Sequence, residues 1–169
     1  MLDDPIKYGL LAALAIALVT AAFTDLRTRR IANWLNAAIA LGAPLFWFAS
    51  DMALWPDVAA QLGTAVAAFA VLSVLFAMKW MGGGDVKLLT ALALWIEPTL
   101  FLKLLIMMAL VGGVLTLVFG AWNVMQRRKR RSGEKEPIKI PYGVAIAIAG
   151  LWVIASFYMP ASAVAGAAG

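Results

Sequence analysis

Apolar residues fill this chain in long unbroken runs, and polar residues gather in the short breaks between them. The runs cover residues 6–23, 34–49, 58–78, 85–97, 100–122 and 141–159. Most are apolar on every side, with no alternation of period two, which predicts helices in an apolar medium rather than strands. Crossing a bilayer takes ~20 apolar residues at ~1.5 Å each. The first run, at 18 residues, is long enough to cross, and the third has 21. The second carries Pro44 and is expected to kink there. Asn33, just before it, is placed to cap its first turn. In the third run, Gly63 and Ala67 have the spacing of close helix packing.

The fourth run is the short one. Its apolar part, 86–96, ends at Glu97-Pro98. Charge decides whether it crosses. If it did not, the fifth run would deliver Arg127-Arg128-Lys129-Arg130-Arg131 to the outer side, against the positive-inside rule. It therefore crosses, starting from a recessed loop buried in protein. With six spans and both termini outside, all but Lys7 and Lys103 of the 14 basic residues face inward. The acidic start, Asp3 and Asp4, with arginines after the first run, is the reverse of a cleaved signal peptide. Trp34, Trp80 and Trp122 mark the inner interface, and Trp47, Trp55 and Trp95 the outer one. The expected fold is an all-α polytopic membrane domain over 1–169, with a short fourth helix after a Gly-rich loop.

Composition agrees: 64% of residues are hydrophobic and mean hydropathy is +0.90, against ~45–50% apolar in a soluble domain. Two absences narrow the chemistry. There is no cysteine and no histidine, which removes thiol nucleophiles, Ser-His catalysis and cysteine- or histidine-ligated metal centres. No cofactor is expected. A hydrolase with this inventory has only carboxylates, lysines and hydroxyls. The basic run 127–131 reads as a topological anchor beside anionic lipid, not as a nucleic-acid site.

Ionisable residues at a membrane edge are costly and mark function. Two stand out. Asp25 closes the first run, and Asp85 opens the fourth, in Gly82-Gly83-Gly84-Asp85-Val86-Lys87-Leu88-Leu89. Glycines there let the backbone bend sharply and approach closely. The first and third runs both end inward, so both aspartates lie on the inner side. Two carboxylates that share a site hold one proton between them, and such a pair can activate water against a peptide bond. Taken singly, each is also readable as a boundary charge or helix cap. Lys87 reads as a snorkelling anchor whose charge acts on Asp85. Glu134 and Glu136 read as loop charges.

The segment Gly82–Leu89, together with Thr24-Asp25-Leu26-Arg27, Ile31-Ala32-Asn33 and Ile140-Pro141-Tyr142-Gly143, resembles three signatures of the type IV prepilin peptidases, GxGD-class membrane aspartic proteases. The likeness runs from about 25 to 150 and is greatest to the small Flp/Tad-type form. It implies catalysis by Asp25 and Asp85, with Gly82, Gly84, Lys87, Asn33, Pro141 and Gly143 in support. It implies a substrate too: a prepilin, with a short basic leader cut after glycine, ahead of its hydrophobic helix, at the cytoplasmic face of the bacterial inner membrane. Pilus-assembly proteins would be its neighbours. Ala32 stands where the family usually has proline. The cysteine-bearing insertion of larger relatives is missing, so methyl transfer is not expected. Two alternatives stand beside it: a GxGD protease of other membrane substrates, with the same aspartates, and a non-catalytic assembly subunit, which would tolerate asparagine at 25 and 85. An ion-coupled transporter would interrupt helices in both halves, and only one interruption is present.

Overall fold

Helices account for most of the described residues because, away from water, only internal pairing satisfies the backbone. The computed structural model describes residues 5–129 and 142–159. Among these are six α-helices: α1 (Pro5–Thr28), α2 (Asn33–Ala49), α3 (Ala59–Ala77), α4 (Gly83–Ala93), α5 (Pro98–Lys129) and α6 (Tyr142–Val153). A kinked segment with Trp55 extended, at φ −132° and ψ 127°, precedes α3 (Leu54–Val58), a short π-helical turn follows α6 (Ile154–Tyr158), and the described residues contain no strand. Three segments are long and apolar enough to cross a membrane: Pro5–Thr28, Leu54–Ala77 and Pro98–Trp122. The others are shorter: α2 has 17 residues and runs unbroken through Pro44, and α4 has only 11.

α1 continues past its expected end at 23, so Asp25 lies inside a helix rather than beyond one. Threonines extend it. Thr24 and Thr28 hydroxyls donate back to the carbonyls of Thr20 and Thr24, at 3.0 and 2.8 Å, keeping polar side chains satisfied on the helix surface. The helix stops where Arg29 turns left-handed, at φ 54°, its N–H closing onto the Asp25 carbonyl at 2.8 Å.

α4 is the pivot. It packs against α2 and α3 on one side and α6 and α5 on the other, while α1 lies between α2 and α6. Leu88, Leu89 and Leu92 of α4 are fully enclosed, as are Leu18 of α1, Leu104 of α5 and Ile146 of α6. A helix enclosed this way has its apolar surroundings supplied by protein and need not match the bilayer thickness. Outward faces of α1, α3 and α5 carry Ile16, Val19, Val71, Val74, Leu110 and Leu117, all largely exposed. Apolar surface on that scale is tolerated when lipid covers it. Gly63 and Ala67 lie on such a face, with nothing within 4 Å of a Cβ built at Gly63. Their spacing therefore makes no packing contact within the chain.

Two tryptophans expected in the outer belt pack inward, Trp95 in the core and Trp47 half-buried against it. Trp95 is 4% exposed, stacks on Phe46 with centroids 5.2 Å apart, and donates to the Ile39 carbonyl at 2.7 Å. Trp47 donates to the Leu94 carbonyl at the end of α4, also at 2.7 Å. An indole serves where an apolar body must also satisfy a helix-end carbonyl. Trp34, Trp55, Trp80 and Trp122 are exposed. Trp95→Phe keeps the ring packing and removes the donor. It should lower unfolding stability in detergent by about 1 kcal/mol, read as a fall in Tm with α-helical content unchanged.

Candidate active site

The two aspartates come from helices far apart in sequence. Asp25 lies in the last turns of α1 and Asp85 in the first turn of α4. Both are buried, at 7% and 9% exposure. They lie near enough that the Asp25 charge repels that of Asp85, and the Arg29 guanidinium attracts Asp25. Among the described residues, no group of three or more His, Cys, Asp or Glu converges as a metal site would need.

Asp25 is held by a third helix. The Gly143 N–H, in the first turn of α6, donates to Asp25 Oδ2 at 2.8 Å. The first four N–H groups of a helix have no partner within it, and the positive end of its dipole favours an anion there. Glycine is required by distance. A Cβ on Gly143 would sit 2.8, 2.9 and 3.0 Å from Oδ2, Cβ and Cγ of Asp25.

The glycines ahead of Asp85 act in the same way. The turn between α3 and α4 takes its left-handed residue from Lys79, at φ 62°, while no described glycine has positive φ and Gly83 and Gly84 are already helical. What they provide is close approach. A Cβ on Gly82 would lie 2.8 Å from Asp85 Oδ2, one on Gly83 3.1 Å from the Phe76 ring, and one on Gly84 3.3 Å from Ile31 Cβ. The Gly82 amide also lies against the Asp85 carboxylate. Small residues here let α4 begin against α3 and the α1–α2 connection.

Two supporting residues take different parts from those expected. Asn33 does not cap α2: Ala32 holds the cap position without a side-chain bond, and Asn33 is the first helical residue. Its Oδ1 instead accepts from Lys87 Nζ at 2.9 Å, so the Lys87 ammonium is engaged on the α2 side of α4. Pro141, Glu134 and Glu136 fall outside the described residues, as do Arg130 and Arg131.

Two buried polar residues escaped the sequence reading, Gln61 in α3 and, nearer the aspartates, Asn36. Asn36 lies in the second apolar run, is 5% exposed, and donates through Nδ2 to the Gly84 carbonyl at 3.4 Å. Its signal was available: an amide inside an apolar run is as costly as it is uncommon.

Neither the curated proteins nor the solved structures contain a match to this chain. A family model does match: that of the type IV leader peptidase family, over residues 12–121, a stretch that includes both aspartates and ends before Gly143. With well over half of its length matched, the chain belongs to the type IV leader peptidase family.

Proposed function

We propose that this peptidase is a membrane aspartic endopeptidase that removes the short basic leader from type IV, Flp-like prepilins at the cytoplasmic face. In this reading Asp25 and Asp85 are its catalytic pair. The observation that carries it is the meeting of two buried carboxylates from α1 and α4, one of them fixed by the first turn of α6.

The chemistry follows from one proton shared by two carboxylates. The ionised member takes a proton from water as the water oxygen bonds to the scissile carbonyl carbon. The protonated member gives its proton to the carbonyl oxygen, forming a neutral gem-diol. As the C–N bond breaks, one hydroxyl proton returns to a carboxylate and the leaving nitrogen takes a proton from the pair. The leader departs with a new carboxylic acid, which ionises in water, and the pilin with a new amine, and the pair again holds one proton. Gly143 keeps Asp25 from rotating out of line between turnovers.

The matching test uses purified protein in liposomes with a model prepilin: a basic leader, a glycine and a 20-residue apolar helix. Mass spectrometry should find one cut, directly after the glycine, with no methyl group on the new N-terminus. A folded protein that leaves this substrate whole, or cuts inside the apolar helix, overturns the leader-peptidase reading.

Six spans with both ends outside complete the proposal, supported by the charge distribution. Because the chain has no cysteine, single-cysteine labelling is clean. A membrane-impermeant maleimide added to intact cells should label Asp51→Cys and leave Ser132→Cys unlabelled until lysis. The opposite pattern would invert the topology and place the aspartates on the wrong side for a cytoplasmic leader.

A further inference from the structure

Gly150 stands seven residues after Gly143 on α6, and Leu18 stands seven residues before Asp25 on α1. A Cβ on Gly150 would lie 2.9 Å from Leu18 Cδ1 and 3.7 Å from its Cδ2, just as one on Gly143 would meet Asp25 at 2.8 Å. The two helices therefore touch at two glycines, one at the carboxylate and one about 10 Å deeper in the bundle. Equal spacing on both helices means that they run nearly antiparallel along this line. Between the two contacts stand Ala21 of α1 and Ala147 of α6, both buried. Positions 143, 147 and 150 share one face of α6, as 18, 21 and 25 share one face of α1. Small residues along such a face let two helices come close.

The contact at Gly150 has no slack. Leu18 has no exposed surface, and a packed interior leaves its side chain no space to swing into. Carbon atoms in contact settle about 3.5–4.0 Å apart, so a methyl at 150 would open the seam by up to about 1 Å. Retreat of α6 is limited by α5, whose Gly112 closes on Tyr142 and Ala145 of α6. The opening therefore falls on the same α1–α6 seam that carries the 2.8 Å bond from the Gly143 N–H to Asp25.

We propose that Gly150 is a positioning residue for catalysis: by seating Leu18 against the α6 backbone, it holds α6 close to α1 and so keeps the Gly143 N–H on the Asp25 carboxylate. This rests on the aspartyl reading of the site and deepens it. A residue with no side chain, about 10 Å from the carboxylates, then sets the geometry of one of them.

The test is kinetic and uses the same model prepilin. Gly150→Ala should lower kcat about 10-fold with KM little altered, a part of the roughly 100-fold that a 1 Å misplacement at the reacting group itself carries. A merely structural glycine would lower Tm and the yield of folded protein, and leave kcat per folded molecule and its split from KM unchanged. A double variant shows the route. With Gly143→Ala the amide bond is already lengthened, so adding Gly150→Ala should slow cleavage less than about 2-fold, whereas independent effects would multiply to the full 10-fold or so.

A second variant does not depend on Gly150→Ala folding by itself. In Leu18→Ala/Gly150→Ala the new methyl takes space that Leu18 has vacated, and kcat should return to within about 3-fold of the parent. If the parent cuts the prepilin, three results would each show that Gly150 does not position Asp25. These are parental kcat in folded Gly150→Ala, full multiplication with Gly143→Ala, and no recovery in the folded Leu18→Ala double variant. The peptidase reading would stand in each case. If the folded parent cuts nothing, both readings fall.

Discussion

Asp25→Asn and Asp85→Asn should each lower leader cleavage by about 10³-fold or more, with the protein folded and in the membrane. Asparagine keeps the size and one acceptor oxygen of each side chain but can neither take a proton from water nor hold the shared one. Because the carboxylates act as a unit, the double variant should be no slower than either single one. Stability should move the other way. Each change takes an ionisable carboxylate out of a buried site where its charge is poorly solvated and opposed by its partner, so Tm should stay level or rise, as often happens when a functional site is neutralised. For the parent, the rate should be bell-shaped in pH, because a pair with no proton and a pair with two are both idle. Both limbs belong to the pair, not to one residue. Cleavage that survives either substitution would end the aspartyl mechanism. The chain would then be an assembly partner beside some other peptidase.

Gly143→Ala should cost about 100-fold in kcat with KM little altered. The added methyl would fall within 3.0 Å of three atoms of Asp25, Cβ among them. Contact with Cβ cannot be relieved by turning the carboxylate alone. Either α6 shifts away or the whole aspartate side chain moves, and in both cases the 2.8 Å bond to the Gly143 amide lengthens. Displacements of about 1 Å at a reacting group carry penalties of about 10²-fold. Gly113→Ala in α5 is the control, since nothing lies within 4 Å of a Cβ there. It should cleave at the parental rate and gain a little helix stability. If Gly143→Ala were as fast as the parent, the amide contact would have no part in holding Asp25.

These two expectations differ in what made them legible. Asp25 and Asp85 stand out in the sequence because a carboxylate amid apolar residues is costly and therefore conspicuous. Gly143 is visible only as the end of a Pro-Tyr-Gly helix start. That its amide meets a carboxylate 118 residues earlier depends on α6 packing against α1, which no local pattern encodes. The triple glycine was legible as a place of close approach, but its lack of positive φ was not. Proximity to Phe76, Ile31 and the Asp85 carboxylate is what makes small residues necessary there. Trp95 reads as a belt residue because belt and core tryptophans look alike in one dimension. Its burial follows from Gly42, where a Cβ would come within 2.8 Å of the indole. Asn33 has the right type for a cap, yet Lys87, one helix away, offered a charged donor that won the side chain.

The sequence by itself determined the helical class, the membrane setting and the two carboxylates on which a metal-free, thiol-free hydrolysis would depend. Those follow from composition, run length and the cost of charge in apolar surroundings, all of which add up residue by residue along the chain. Only the tertiary structure decided which N–H holds Asp25, where the lysine and the asparagines point, and which tryptophans are enclosed. Those depend on how side chains of distant helices fit at distances of 3 to 4 Å, and fit at that scale is a property of the packed molecule.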